Sequence, residues 1–234
     1  MSNPSRLDVW KMFDAISPTY DRINRVLSFG MDRGWRKQVV KHLPSRKNLR
    51  ILDLATGTGD QIIAMFDKGV SIESATGIDL SSEMLQVAQN KIGGKEYSKK
   101  VRLIRADAEK IPLENEIFDA ATISFGIRNM ADPLASLKEI YRVLKPSGRC
   151  LILEFSLPPS LVRSFYLFYL RRILPKIGGL LSKQPAAYRY LNETIETFPS
   201  GKSFLALMEL ASFKSPRAYP MAFGGVTLYR GEKQ

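Results

Sequence analysis

The chain has one cysteine, Cys150, and one histidine, His42, among 234 residues. A lone cysteine excludes an internal disulfide and fits a reducing compartment. No His/Cys/Asp cluster has metal-site spacing, so no metal is expected. No unbroken apolar run reaches the roughly 20 residues that span a bilayer. No amino-terminal stretch reads as a signal peptide, and repeats and low-complexity segments are missing. These absences favour a cytoplasmic location. With 44% hydrophobic and 25% charged residues, the composition is that of a globular protein with ample core.

Acidic residues are scarce at both ends. Residues 1–48 carry a net charge of +6, residues 49–159 of −1, and residues 160–234 of +7. The whole excess of +12 therefore sits in the flanks. Such flanks suit a polyanion, either nucleic acid or an anionic membrane, or simply keep a basic protein soluble.

Between the flanks, apolar runs at 49–55, 75–80, 101–106, 118–125 and 149–155 read as strands. Helical patterns at 60–68, 82–92 and 133–145 alternate with them. That alternation implies a Rossmann-like α/β fold, a doubly wound and mostly parallel sheet. Lys145-Pro146-Ser147-Gly148 reads as a helix stop. Residues 7–44 read as helices broken near Pro18 and Gly30–Gly34, and 160–182 and 186–211 also read as helical. The tail 213–231 reads as two strands around Gly224–Gly225. The expectation is a single domain with a helical cap (1–48), a cofactor-binding core (49–159), a helical region facing substrate or membrane (160–212) and edge strands (213–234).

The first strand runs straight into Gly57, Thr58, Gly59 and Asp60. Ligands of open parallel sheets bind at the carboxyl ends of strands, and glycine leaves backbone bare for them. The dinucleotide pattern G-x-G-x-x-G fails, because Ile62 occupies the third glycine position. A pyrophosphate beside Asp53 and Asp60 would also meet like charge. S-adenosylmethionine suits the acids better. Asp53 and Asp60 can accept from its ammonium group, directly or through water. Asp79 ends the second strand and can take the ribose hydroxyls. Asp107 can read the adenine amino group, with Ala108 offering a backbone donor. Ser124 and Phe125 end the fourth strand beside the reacting methyl.

The stretch from Leu52 to Asp60 resembles the cofactor motif of class I methyltransferases. More particular are Tyr20-Asp21-Arg22-Ile23-Asn24, Ser28-Phe29-Gly30, Thr122 through Asn129, Arg142 through Pro146, Leu153-Glu154-Phe155-Ser156, Leu174-Pro175 with Gly178, and Tyr188 through Leu191. In that order they resemble the demethylmenaquinone and ubiquinone C-methyltransferase family over nearly the whole chain. The resemblance implies methyl transfer to a ring carbon of a polyprenylated hydroquinone, and cofactor contacts at Thr58, Asp79, Asp107, Ala108 and Ser124. The chain departs from the family in three places. Asp32-Arg33 stands for the usual His-Arg, Ser147 for a glycine in the usual Pro-Gly-Gly, and the tail lacks the usual histidine.

Methylating a hydroquinone carbon requires deprotonating a phenol with a pKa of about 10, so a base or a positive field is needed. His42, before Leu43-Pro44, reads as a solvated or capping residue. That leaves a carboxylate, a tyrosine or an oriented water as base. Arg128 and Asn129 are expected to hold the quinol oxygens or such a water, with Arg128 stabilising the phenolate. Tyr20 and Asp21 are expected to close over the site. Residues 161–174, aromatic with interleaved arginines, read either as an interfacial helix on anionic lipid or as a core helix with snorkelling arginines. Together with the basic flanks they lead to an expectation of reversible, peripheral association with the inner face of the membrane. Nucleic acid is not expected as a partner. The Asn/Asp-Pro-Pro-Tyr segment of base amino methylation is absent after the fourth strand, and Cys150 sits in an apolar strand rather than at a nucleophile's place. Demethylmenaquinol is the favoured substrate, the ubiquinone-pathway benzoquinol its alternative. A quinone- or lipid-binding module without turnover is a further rival, disfavoured by the complete set of strand-end acids.

Overall fold

The computed structural model describes residues 9–176 and 185–234. Seven strands form one sheet in the order β3-β2-β1-β4-β5-β7-β6. They are β1 (Leu49–Leu54), β2 (Ile72–Asp79), β3 (Val101–Arg105), β4 (Phe118–Ser124), β5 (Leu144–Phe155), β6 (Lys214–Met221) and β7 (Val226–Glu232). The first five are parallel, and β7 runs antiparallel to both β5 and β6. The strand order reverses between β1 and β4, where a doubly wound sheet opens its ligand crevice. β4 is buried along all but its last residue, as expected of a central parallel strand covered on both faces.

Helices α3 (Met31–Lys41), α4 (Asp60–Asp67) and α5 (Ser82–Gly93) pack on one face. The other face carries α6 (Pro133–Val143) and α9 (Lys202–Leu210). A third apolar cluster joins α1 (Val9–Ile16), α2 (Tyr20–Leu27), α7 (Ser160–Phe168) with its π-helical continuation Tyr169–Ile173, and α8 (Pro185–Thr197). This cluster is the cap over the strand ends. Two helix starts are fixed by side chains. Asp132 accepts from the amides of Leu134 and Ala135 ahead of Pro133, and Ser81 accepts from the Met84 amide, each filling donors that a helix start leaves unpaired.

The structure corrects several boundaries. Gly34 lies inside α3, and the chain breaks earlier, at Ser28–Gly30, with Gly30 left-handed at φ 75°. Helix α6 ends at Val143, and the expected stop segment is already strand, because β5 starts at Leu144 beside Phe118. The expected helix 186–211 is two helices. Phe198-Pro199-Ser200-Gly201 divides them, and the Gly201 amide donates to the Tyr229 hydroxyl on β7. Gly178 and residues 177–182 of the expected 160–182 helix lie outside the described residues, as do residues 7–8 of the expected first helix.

Candidate active site

Two cavities open at the carboxyl ends of the strands. The smaller, about 150 Å³, is lined by the loop after β1, the ends of β2 and β4, the segment after β3, and Val9, Trp10, Phe13 and Tyr20 of the cap. The larger, about 440 Å³, lies under the cap helices and is mainly apolar. Phe13, Tyr20, Phe125 and Asn129 line both. The cavities therefore meet where β4 ends.

The glycine loop is built around Asp79. Its carboxylate accepts from the Gly57 amide at 2.8 Å and from the Ser81 amide at 2.9 Å. Burial raises its pKa against those backbone bonds. Gly57 is left-handed at φ 53°, and a Cβ there would meet nothing within 4 Å, so its backbone is open to the cavity. Gly59, at φ 79°, turns the chain into α4, where a Cβ would press on Ile92 at 3.1 Å. Only glycine serves both positions without strain. Asp79, Asp107, Ala108 and Ser124 all line the smaller cavity. Asp107 also accepts from the Glu109 amide, and Ser124 donates to Gln61 at 3.0 Å.

Four residues expected at the cofactor, Asp53, Thr58, Gly59 and Asp60, do not line the smaller cavity. Asp53 is 1% exposed, behind the loop, and accepts from Thr56 at 2.6 Å and Thr122 at 2.5 Å. Burial pushes its pKa up to about 6 against those two bonds. These bonds hold the loop against β4. Thr58 donates to Asp21 at 2.6 Å and so ties the loop to the cap. Gly59 is the helix turn and does not line the cavity. Asp60 is engaged by Lys91 at 2.5 Å, and Lys91 also reaches Asp21 at 2.6 Å. Burial acts to raise the pKa of Asp60, but Arg36, Lys91 and Arg25 outweigh it and the net shift is downward. Asp14 adds a second tie, accepting from Ser81 at 2.5 Å. The cap is thus fastened to the loops after both β1 and β2.

Tyr20, Arg128 and Asn129 all line the larger cavity. The turn that carries the last two is strained. Phe125 is left-handed at φ 62°, and a side chain at Gly126 would collide with Ala55. Such strain at a strand end is typical of functional sites. Arg128 is 5% exposed and lies against the Phe155 ring. It donates to the Phe125 carbonyl at 2.6 Å and to Glu154 at 2.7 Å. Arg128 Nε and Asn129 Oδ1 are buried without a partner. Tyr20 is half-buried, and burial raises its pKa against the field of Arg128, its bond to Asn24 and the field of Arg36, so it stays a phenol. His42 lines neither cavity and packs against Tyr219.

Glu154 is the residue that sequence reasoning did not assign. It is fully buried at the end of β5, and burial raises its pKa despite Arg128. Its signal was its place beside Phe155 in the Leu153-Glu154-Phe155-Ser156 motif, opposite a strand-end arginine. The walls of the larger cavity were partly foreseen. Val162, Phe165, Tyr166, Tyr169, Leu170 and Leu174 line it from the aromatic stretch.

A family model described as the ubiE/COQ5 methyltransferase family matches residues 1–233. A ubiquinone/menaquinone biosynthesis C-methyltransferase UbiE of Geotalea daltonii is 46% identical, over 96% of this chain and 96% of that one. A demethylmenaquinone methyltransferase of Thermus thermophilus is 41% identical, over 95% of this chain and all of that one. Among solved structures, a putative S-adenosyl-L-methionine-dependent methyltransferase of Methanococcus maripaludis superposes with a TM-score of 0.69 at 17% identity, covering 100% and 97% of the two chains. At that identity the likeness shows the fold alone.

Proposed function

The chain belongs to the ubiE/COQ5 methyltransferase family, and from that premise we propose that it methylates a ring carbon of a polyprenylated hydroquinone, demethylmenaquinol first. S-adenosylmethionine is the cofactor of this fold and family, and it supplies an electrophilic methyl on a sulfonium. The residues present fit it. Gly57 gives open backbone, Asp79 and Asp107 give acceptors for hydroxyl and amino groups, and Ala108, Met84 and Met130 give apolar cover.

The observation that carries the proposal is the junction of the two cavities at Tyr20, Phe125 and Asn129. One cavity is lined by the strand-end acids Asp79 and Asp107, and the other is mainly apolar, with about 440 Å³ to take a prenyl chain. Beside the junction a buried donor, Nε of Arg128 in the wall of the larger cavity, and a buried acceptor, Asn129 Oδ1, lack partners. Buried groups of this kind are costly unless something completes them. A ring hydroxyl offers both an acceptor and a donor. Arg128 then stabilises the phenolate as it forms. Tyr20, held protonated, donates to the same oxygens rather than removing a proton. A water held by Asn129 relays the hydroxyl proton to solvent, and the proton that the methylated ring carbon must lose to restore its aromatic ring leaves by the same water.

The names of the relatives cover both ring types. The test is mass spectrometry after purified protein meets methyl-labelled cofactor and, in separate reactions, reduced demethylmenaquinone and the demethylated benzoquinol. Label on the naphthoquinol ring carbon is expected. Label on neither quinol, with cofactor bound, would overturn the proposal.

A further inference from the structure

The mouth of the larger cavity is ringed by aromatic side chains that face solvent. Phe29 is 75% exposed, Phe165 79% and Phe223 85%, and all three also line the cavity. They come from three separate places, namely the turn between α2 and α3, helix α7, and the turn between β6 and β7. Phe29 and Phe223 are held left-handed, at φ 51° and 55°. A bulky residue rarely adopts that conformation, so each ring is presented at a turn tip against its backbone preference. Leu161 and Phe168, 86% and 60% exposed, extend the apolar surface along α7. Exposed apolar side chains clustered around one opening mark a place where something docks.

The exposed charge around the mouth is mainly basic, and the acids that line the cavity, Asp21, Asp32 and Asp60, are paired with Lys91 and Arg25. Residues 160–176 hold four basic side chains and no acid. Arg22 and Arg33, which flank Phe29 in sequence, are exposed, as are Arg163 on α7 and Arg172 in its continuation. Aromatic tips with arginines at their base match the headgroup level of an anionic bilayer, where rings enter the acyl boundary and cations meet phosphate.

We propose that Phe29, Phe165 and Phe223 form a three-point collar that seats the cavity mouth on an anionic bilayer, so that a prenyl chain passes from lipid into the cavity without crossing water. This goes beyond a single interfacial helix, because the contact is a ring of turn tips around an opening. The purpose of the collar rests on the proposed prenylated substrate. Its existence is read without any substrate.

The experiment is flotation of the full chain with phosphatidylcholine vesicles, with and without about 30 mol% phosphatidylglycerol. The wild type is compared with F29S/F165S/F223S, and cofactor affinity measured by calorimetry reports folding. The wild type is expected to float with anionic vesicles and to be released by about 0.5 M salt. The triple variant is expected to bind vesicles more than about tenfold more weakly, since three apolar anchors are gone, and to bind cofactor within about twofold of wild type. As a second variant, R163E/R172E is expected to lose the preference for anionic over neutral vesicles. Equal flotation of the triple variant and wild type would overturn the collar. So would a wild type that stays off vesicles and sediments as a dimer that the triple variant cannot form, since a second copy would then cover the surface. Because no quinol is present, failure here leaves the methyl-transfer proposal standing, and failure of methyl transfer leaves the collar standing.

Discussion

Arg128 and Glu154 form a buried ion pair at 2.7 Å, one from the turn after β4 and one from the end of β5, with side-chain exposures of 6% and 0%. Glu154 also accepts from the Phe155 amide at 2.7 Å. The acid therefore fixes the guanidinium in the wall of the larger cavity from a rigid strand. Removing one member leaves a buried charge uncompensated, at about 3–5 kcal/mol. Arg128→Ala is thus expected to destabilise the protein as well as to slow turnover by about 10²–10³-fold. The pair Arg128→Met with Glu154→Leu separates these effects. Urea denaturation should show most of the stability restored, while turnover stays as low as in the single variant. A double variant with recovered turnover would remove Arg128 from the chemistry.

Tyr20 remains a phenol because burial raises its pKa. Tyr20→Phe is expected to lower turnover by about 10²-fold through a lost donor, with the pH–rate profile unmoved below pH 9. If the profile loses a basic limb instead, Tyr20 is the base.

Asp53 gives a stability test with a defined pH window. Its folded pKa is about 6, above the ordinary 3.8. The folded protein then binds the proton more tightly than the unfolded chain, so this carboxyl's contribution is full below about pH 4 and is lost as pH rises through about 6. A shift of two units corresponds to about 3 kcal/mol. Asp53→Asn keeps the shape and removes the titration. The wild type's stability relative to Asp53→Asn should fall by about that amount between pH 4 and pH 7. A flat difference across the window would place the carboxyl in a wetter site than Asp53 occupies.

Gly57 and Gly59 have similar backbones and different surroundings. Gly57 faces open cavity, whereas a Cβ at Gly59 meets Ile92 and Ala88. Each Ala variant carries a left-handed strain of about 1 kcal/mol. Beyond that, Gly57→Ala should weaken cofactor binding with little further loss of stability, and Gly59→Ala should lose stability further. Calorimetry and thermal unfolding of the two variants distinguish these outcomes.

The strand-end acids were legible because they follow a local grammar, in which an apolar run ends on an acid and a helix pattern follows. Asp79 and Asp107 needed nothing more. Thr58 and Asp60 share that motif but turn to Asp21 and Lys91, partners 37 and 31 residues away in sequence. Only the packing of the cap on the loop reveals this. The start of β5 at Leu144 was hidden for a similar reason. Pro146 and Gly148 favour a break locally, but Phe118 and the tail strand supply edges for the segment to pair with, and Ser147 donates its amide to Lys233. Glu154 reads from the sequence as one more residue of a β-strand. Its role appears only when the turn after β4 brings Arg128 against it.

The most direct test of the two-cavity site is a crystal structure with S-adenosylhomocysteine and a prenylated demethylnaphthoquinol. The expected result puts the quinol ring between Tyr20, Arg128 and Asn129, its oxygens on Arg128 Nε and Asn129 Oδ1, and its tail along Phe155, Tyr166 and Leu170. A ring bound away from that junction, or a tail leaving by another route, would contradict it.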